Sequence, residues 1–405
     1  MVFRVSALAV LLVACGLRAE DLVNVDDVGF RAVELLAFGG SAVGGLAYSP
    51  DGYPITHDHS SRNVQIHGPG SPRVLVTMPE ENFGAFLVVS PTGKEVFFAE
   101  SLNPGEVVEI YAISLSGGTP YVYDAIRSVY DLTFDSEGHG FVSAHTTHSY
   151  NEILLLDRDP RKENKVIVAN IEGASGPVAV DDEGNLYYGT ARGDVEAPGQ
   201  QLVRFSREKI LAAIDGEPID FKDGTILKSN INGFFNLRWG GGKLFYTDMD
   251  FAGKSTRGLY MMDPASGYEV SLLATFGSPE PGYLYPALLA FRPGSREFVA
   301  GAGPEGGALL VSFSDFWKVN TVAEIVPKLH FVRGRINDDV QVDMSDAIFL
   351  LVYLFRSGAV PSCLEAADVN DDTTVDLSDA VYLLEYLFRG GNEIPAPFPD
   401  PGPAD

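Results

Sequence analysis

The chain has 405 residues, of which 45% are hydrophobic, and a formal net charge of −26. This acidic balance excludes nucleic acid and anionic membrane surfaces as binding partners, because both repel a negatively charged protein, and it favours cations. The length and apolar content predict one large domain followed by a small one.

Residues 1–19 are predicted to be a signal peptide. Arg4 precedes an apolar run over residues 5–14, which is too short to span a bilayer as a stable helix. Cleavage after Ala19 would release a secreted, extracellular protein with no transmembrane segment. Residues 12–15 also match a bacterial lipobox, so the alternative is a lipoprotein anchored at Cys15. In either case no internal disulfide is expected, because the only other cysteine is Cys363.

Residues 20–328 contain six copies of one motif, in which an apolar run is followed by a Gly-containing turn and a second apolar run. The turn glycines are 41, 45, 46, 58 and 52 residues apart: Gly52, Gly93, Gly138, Gly184, Gly242 and Gly294. Each copy predicts two strands joined by a tight turn, and one or two more strands follow. Units of this size cannot bury their own faces and must stack on their neighbours. The sequence therefore predicts a mostly β fold, a six-bladed β-propeller, in which residues 32–38 supply the fourth strand of the last blade.

Copies such as residues 176–188, Gly-Pro-Val-Ala-Val-Asp-Asp-Glu-Gly-Asn-Leu-Tyr-Tyr, resemble repeats of the NHL and SMP-30-like propeller superfamily. The resemblance implies a ligand or cation site where first strands begin and second strands end. Among the predicted first-strand starts only Asp131 and Asn236 are polar, which is weak support for a cation in the channel. The second-strand ends are more polar: His57, Asp58, His59, Glu100, His145, His148, Arg192, Asp248 and Asp250.

These polar strand ends could hold a metal, perform acid–base chemistry or simply cap solvated turns. The sequence contains neither a nucleophile elbow nor an HExxH motif, so no catalytic residue is assigned. Two insertions in the fourth repeat, residues 194–200 and 209–232, are long loops of the kind that often form binding sites.

Residues 329–391 are predicted to form a second, α-helical domain from a duplicated segment. Loop 2, residues 368–379, places oxygen atoms at positions 1, 3, 5, 7, 9 and 12, which is the ligand order of a twelve-residue Ca²⁺ loop. Its predicted ligands are Asp368, Asn370, Asp372, Thr374 through its carbonyl, Asp376 and Asp379. Loop 1, residues 335–346, has Arg335 at position 1, which is expected to weaken that site. Its remaining predicted ligands are Asn337, Asp339, Gln341 through its carbonyl, Asp343 and Asp346.

A helix is predicted after each loop, and loop, helix and spacing all repeat after 33 residues. This region therefore resembles a type I dockerin, a family that implies calcium-dependent folding and a cohesin-like protein partner. The resemblance places the docking face near Met344-Ser345 and Leu377-Ser378. The alternative is a calcium-bound helix pair that packs on its own propeller and docks nothing. The proline-rich end, residues 392–405, is predicted to be a disordered tail.

The sequence thus predicts an exported binding or scaffolding protein, whose propeller recognises an extracellular ligand, glycan or small molecule and whose calcium module docks to a protein. The alternative is an enzyme of polysaccharide degradation or lactone hydrolysis, because dockerins usually accompany glycan-degrading enzymes. The polar residues at the second-strand ends, which form the predicted rim of the propeller, distinguish the binding protein from the enzyme. Convergence of the predicted His, Glu and Asp side chains within metal-ligand distance would favour the enzyme, and scatter would favour the binding protein.

Overall fold

The chain divides into two compact units, which we describe separately. The first comprises residues 1–28, 32–294 and 307–325, and the second comprises residues 29–31, 295–306 and 326–405. The computed structural model describes residues 22–25, 29–37, 43–78, 86–99, 106–145, 150–157, 163–173, 175–190, 200–231, 233–249, 256–277, 284–315, 320–337 and 339–403. The predicted signal peptide lies outside these residues.

The first unit is a six-bladed β-propeller, which confirms the predicted fold class, and the four strands of blades 1 to 5 follow one another in chain order. Blade 1 contains Val43–Tyr48, Pro54–Asp58, Asn63–Ile66 and Arg73–Thr77. Blade 2 contains Leu87–Val89, Glu95–Ala99, Val107–Ser114 and Tyr121–Arg127. Blade 3 contains Val129–Phe134, Gly140–Ala144, Tyr150–Leu155 and Lys165–Glu172, and Ile219–Asp220 pairs with its outer strand in parallel.

Blades 4 and 5 follow the same order. Blade 4 contains Val178–Val180, Leu186–Gly189, Gln200–Phe205 and Thr225–Ile231. Blade 5 contains Asn236–Gly240, Lys243–Asp248, Gly258–Asp263 and Glu269–Phe276, with Val23–Val25 added at its outer edge.

Blade 6 closes the ring with a strand from the other end of the chain. Its inner strands are Tyr285–Arg292, Ala308–Ser314 and Asn320–Pro327, and its outer strand is Phe30–Ala37. The predicted closing strand at residues 32–38 is therefore confirmed. Each first strand contacts the first strand of the next blade around the whole ring, including blade 6 against blade 1.

The propeller core lies between neighbouring blades, because alternate side chains of each strand point to opposite faces of its sheet. Between blades 2 and 3, for example, Phe97, Ile110, Leu132 and Leu154 are all buried. Each blade thus needs a neighbour on both faces, which explains why the repeat forms a closed ring rather than isolated sheets.

The second insertion of the fourth repeat braces two blades. It forms the helix Arg207–Asp215, whose Ile210 and Ala213 are buried in the core between blades 3 and 4, and the 3-10 turn Phe221–Asp223. The Arg207 backbone N–H donates to Asn185 and its guanidinium donates to Glu137. Both partners lie in turns between first and second strands, so this helix lies on the face opposite the predicted ligand face, whereas residues 225–231 of the predicted long loop form the fourth strand of blade 4. Residues 194–199 of the other insertion lie outside the described residues.

The second unit contains two helices that follow the two loops, Met344–Arg356 and Leu377–Arg389, and a short helix, Leu364–Ala367. A capping box starts each loop helix, with Asp343 and Asp346 in loop 1 and Asp376 and Asp379 in loop 2. The helices enclose a core formed by equivalent residues of both repeats together with the ends of the unit: Ile336, Ala347, Leu350, Ala367, Val369, Ala380, Leu383 and Ile394. Short 3-10 turns occur at Gly303–Gly306 in this unit and at Pro264–Ser266 in blade 5.

The proline-rich segment differs from the disordered tail predicted for residues 392–405. Ile394 is 4% exposed in the core of the second unit, and Phe398 packs edge-on against Tyr386, with ring centroids 5.4 Å apart. The strand Gly402–Pro403 pairs with His330–Phe331. Prolines prevent a helix here but leave the two apolar side chains free to pack, so residues 392–403 are ordered. Within the described ranges, no helix is both long and apolar enough to cross a membrane.

Candidate functional site

The two polar side chains predicted at first-strand starts join neighbouring blades. The carboxylate of Asp131 is 1% exposed and accepts a hydrogen bond from the backbone N–H of Val178, in the next blade, at 3.2 Å. The side-chain oxygen of Asn236 accepts from the N–H of Leu289, again in the next blade, at 3.2 Å. Each side chain therefore accepts a hydrogen bond from a backbone N–H group of the next blade and links the two blades.

Arg238 in blade 5 reaches Asp131 in blade 3. Its two terminal nitrogens donate to the two carboxylate oxygens at 2.7 and 3.0 Å, a bidentate pair. Because the guanidinium neutralises Asp131, a cation held by Asp131 and Asn236 in the channel does not fit this structure. Tyr130 adds a second link across blade 4, since its hydroxyl donates to the carbonyl of Phe235 at 2.7 Å. Burial raises the pKa of Tyr130, so the hydroxyl remains a donor.

Arg238 was not among the residues predicted from the sequence, although its position carries a signal. The equivalent position of the other five repeats carries an uncharged side chain: Ala47, Val88, Thr133, Ala179 and Ala290. A single arginine at a strand position that is uncharged in the other repeats indicates an acidic partner.

The predicted polar rim at the second-strand ends does not form a metal centre among the described residues. His57 is 2% exposed, and burial lowers its pKa to about 4, so it is neutral at pH 7. Asp248 is 3% exposed. Within the described ranges, the one group of three potential metal ligands lies elsewhere, and His57, His59, His145 and Asp248 are not part of it. Glu100, His148, Arg192 and Asp250 lie outside the described residues.

His145 is the rim side chain whose orientation is best defined. The amide nitrogen of Asn151 donates to the carbonyl of Gly173, so its oxygen is the acceptor for Ser175 at 2.6 Å and for Nδ1 of His145 at 3.0 Å. Nδ1 must therefore carry the proton, which leaves the lone pair of the neutral ring on Nε2. His145 is partly exposed, so this nitrogen could act as a base or as a single ligand.

The group of three potential ligands is Asp135, Glu137 and His139, in the turn between the first two strands of blade 3. Asp135 accepts the backbone N–H groups of Glu137 and His139 at 3.0 and 2.8 Å and contacts the His139 ring at 2.7 Å. In blade 4, Asp181 makes the same set of bonds, and Asn185 replaces the histidine. The cluster is therefore a repeated turn motif, which accounts for its geometry without a metal.

Loop 2 has its predicted ligands on a scaffold of backbone hydrogen bonds. The Asp368 carboxylate accepts the N–H groups of loop positions 5 and 6 at 3.1 and 2.9 Å. The Asp379 side chain is fully buried and accepts the N–H groups of positions 2, 3 and 9 at 2.7, 3.2 and 2.8 Å. Thr373, at the position that usually needs glycine, has a φ of 72°.

Loop 1 repeats the hydrogen bonds to position 12 and differs from loop 2 at position 1 and at position 6, where Val340 lacks the positive φ of Thr373. Asp346 is fully buried and accepts the N–H groups of positions 2, 3 and 9 at 2.6, 3.0 and 2.9 Å. Arg335 replaces the aspartate of position 1 and brings a positive charge in place of two acceptor oxygens. The two loops therefore have closely similar backbone frames and different charge at the predicted ion.

Helix capping explains only part of the oxygen-rich pattern. Asp376 and Asp379 form the capping box, but Asp368 and Asp372 are not needed for it. Asp368 is only 8% exposed beside the buried Asp379, whose pKa is raised by burial and further by the Asp368 carboxylate. Two neighbouring buried carboxylates favour a cation between them. The donor chemistry of loop 2 therefore fits Ca²⁺, while that of loop 1 fits it less well.

Each loop helix exposes a stripe of apolar side chains, which we call the apolar stripes. Equivalent positions of the two repeats are exposed: Met344, Ile348 and Phe355 at 51%, 51% and 65%, and Leu377, Val381 and Phe388 at 49%, 46% and 66%. The predicted docking residues Met344 and Leu377 begin these stripes. Leu351 is only partly exposed and packs against the core of the second unit.

Among known proteins, this chain is similar in fold to several solved structures. No family model matches the chain, and no curated protein matches it. Virginiamycin B lyase of Staphylococcus aureus is 12% identical, with 73% of this chain and 99% of that one covered and a TM-score of 0.44. A gluconolactonase of Xanthomonas campestris is 12% identical over 75% and 97% of the two chains, with a TM-score of 0.45. The PQQ-bound aldose sugar dehydrogenase of Streptomyces coelicolor is 12% identical over 73% and 97%, with a TM-score of 0.48. Likeness at this level assigns neither a substrate nor a reaction to this chain.

Proposed function

We propose that this chain is an exported calcium-binding docking protein. Its second unit binds Ca²⁺ through loop 2 and attaches to a cohesin-like protein, and its propeller recognises an extracellular ligand such as a glycan. The observation that carries the proposal is the exposure of equivalent apolar stripes on two helices, each of which directly follows an oxygen-rich loop. Export is supported by the sequence of residues 1–19 alone.

The donor set of loop 2 supports Ca²⁺ as its ion. Four carboxylates, one amide oxygen and one backbone carbonyl are hard oxygen donors, and the loop contains neither Cys nor His. Ca²⁺ also accepts an irregular cage of six to eight oxygens more readily than Mg²⁺ does. At loop 1, Arg335 opposes a cation, so we propose that loop 2 is the stronger of the two sites.

The apolar stripes support a protein partner. Phe355 and Phe388 are each about two-thirds exposed at the end of their helices, and large exposed apolar side chains that lie in one row mark interaction surfaces. Aromatic side chains of this kind often dominate the binding energy of an interface.

A calcium titration by calorimetry tests the first half of the proposal on the full chain. We expect a tight site that disappears in Asp379→Ala and remains in Asp346→Ala. Cohesin modules are then titrated with and without EDTA. Binding only in calcium supports docking, whereas calcium binding with no cohesin binding favours a module that stabilises its own protein. If Asp379→Ala binds calcium as the wild type does, loop 2 is not the site.

A hydrolase is the second candidate, and the orientation of His145 is the observation that favours it. Its Nε2 lone pair is fixed by the Asn151 network on the face where ligands of propellers are expected, so it could take a proton from a water that attacks a lactone or glycoside. Among the described residues His145 belongs to no group of three potential metal ligands, which places this candidate after the docking protein.

Lactones and polysaccharides assayed with the full chain test the second candidate. Activity lost in His145→Asn and kept in His139→Asn would support it, because the second change reproduces the Asn185 turn of blade 4. The absence of hydrolysis by the wild type on both substrate classes would contradict it.

A further inference from the structure

Arg333 is a buried cation that contacts loop 2 and the proline-rich segment together. The residue is 5% exposed, and its Nη2 pairs with the Asp371 carboxylate, at loop position 4, at 2.8 Å. Its Nη1 donates to the carbonyl of Asp368, at loop position 1, and its Nε donates to the carbonyl of Ala396 at 2.9 Å. One guanidinium therefore holds the start of the calcium loop and the chain end at once.

Residues 392–403, which we call the strap, have several further contacts within the second unit. The backbone N–H of Arg333 donates to the carbonyl of Pro397 at 2.7 Å. The hydroxyl of Tyr382, on the loop-2 helix, donates to the carbonyl of Glu393 at 2.9 Å, and Ile394 fills the core between the helices. The strap thus packs against the helix that loop 2 starts as well as against Arg333.

Loop 1 has no equivalent of this arginine. The residue that corresponds to Arg333 after the 33-residue repeat is Ala366, whose methyl group cannot donate a hydrogen bond. Any coupling that depends on a guanidinium is therefore restricted to loop 2.

We infer that Arg333 couples calcium binding at loop 2 to docking of the strap, so that each event favours the other. This inference rests on the proposed calcium binding by loop 2. A bound ion fixes the backbone of positions 1 to 5, which fixes the carbonyl and carboxylate that Arg333 contacts. The guanidinium is then already oriented for Ala396, so the strap loses less conformational freedom when it docks. Linkage requires the reciprocal effect, in which a docked strap increases calcium affinity by the same factor.

The test combines calcium calorimetry with amide hydrogen exchange on the full chain. In the wild type, calcium is expected to slow exchange in loop 2 and in the strap. In Arg333→Gln we expect about tenfold weaker calcium binding at loop 2 and loss of the calcium effect on strap exchange, since one lost charge-assisted contact has this magnitude. A chain ended after Gly391 keeps Arg333 and is expected to show a similar fall in calcium affinity.

Two further variants separate positioning from charge. Arg333→Lys keeps the positive charge but cannot reach both carbonyls and the carboxylate, so it is expected to behave like Arg333→Gln. Arg356→Gln removes the same charge from an exposed helix end and should leave both measurements unchanged. Wild-type calcium affinity in both Arg333→Gln and the shortened chain, together with wild-type strap protection in Arg333→Gln, would overturn the coupling. If the wild type itself binds no calcium at loop 2, the proposed function fails first, and the coupling fails with it.

Discussion

Loop 1 and loop 2 have nearly the same frame but differ at the residue that decides their charge. In both loops a buried aspartate at position 12 accepts the N–H groups of positions 2, 3 and 9, and an aspartate at position 9 caps the following helix. Position 1 is Asp368 in loop 2, where it accepts two N–H groups, and Arg335 in loop 1.

The difference indicates that the loop fold and the proposed ion site depend on different residues. Positions 9 and 12 start the helix whether or not an ion is bound, because a capping box satisfies backbone donors by itself. A change at position 1 can therefore remove affinity for the cation while the duplicated fold is retained. The predictions below test this separation.

The largest effect is expected from Asp379→Ala. In calcium, the change removes a predicted ligand and leaves three backbone N–H groups without their acceptor, so the second unit should lose about 3 kcal/mol or more of stability. Asp346→Ala removes the equivalent acceptor from loop 1, where the proposed ion site is weaker. It should therefore lower the stability of the second unit by only about 1–2 kcal/mol. Thermal unfolding in calcium and in EDTA measures both. Equal losses for the two variants in both media would contradict the predicted difference.

Arg335→Asp should make loop 1 resemble loop 2. Replacing a positive charge with a carboxylate next to the ion is expected to raise calcium affinity at loop 1 by about two orders of magnitude. Arg335→Asn serves as the control, because it removes the positive charge and adds no carboxylate, and it should give a smaller gain. Calorimetry counts the calcium sites of each variant. If Arg335→Asp still binds only one ion, position 1 is not the residue that makes loop 1 the weaker site.

Phe355→Ala and Phe388→Ala test whether the two repeats contribute equally to docking. Both side chains are about two-thirds exposed, so neither change should alter the melting temperature by more than a few degrees. Each should weaken a cohesin-like partner by about 1–2 kcal/mol if the stripe forms the interface. Binding that is unchanged in the double variant would remove the stripes from the docking surface.

The smallest effect is expected from Thr373→Gly. Thr373 is a β-branched residue at φ 72°, where glycine avoids a penalty of about 1–2 kcal/mol but is more flexible in the unfolded chain. We expect a net gain of about 0.5 kcal/mol in stability. Val340→Gly, at the same position of loop 1, is the control, because Val340 lacks a positive φ, and it should be neutral or slightly destabilising. Chemical unfolding in EDTA measures the difference without the ion.

The propeller could be predicted from sequence because its blades repeat the same turn, and the spacing of the turn glycines gives the number of blades. The closing strand could also be predicted, since residues 32–38 have no blade of their own. The pair between Asp131 and Arg238 could not, because 107 residues separate its members and no local pattern relates them.

The candidate site was only partly accessible to sequence reasoning. The spacing of oxygen-bearing side chains located both loops, and the repeat located their helices. The strap was missed because its proline content outweighed Ile394 and Phe398, the two apolar residues that pack it. The orientation of His145 depends on Asn151, Gly173 and Ser175, which are distant enough in sequence that only the folded blade brings them together.

The outer strand of blade 6, Phe30–Ala37, has a consequence for how this protein is made. The other strands of that blade lie between Tyr285 and Pro327, so a ribosome must synthesise most of the chain before the two halves of the sheet can meet. Contacts of such high sequence separation form late and slowly. The ring therefore remains open throughout translation of the first five blades, and the N-terminal strand lacks its partner Asn320–Pro327 and is available to chaperones until the sixth blade emerges.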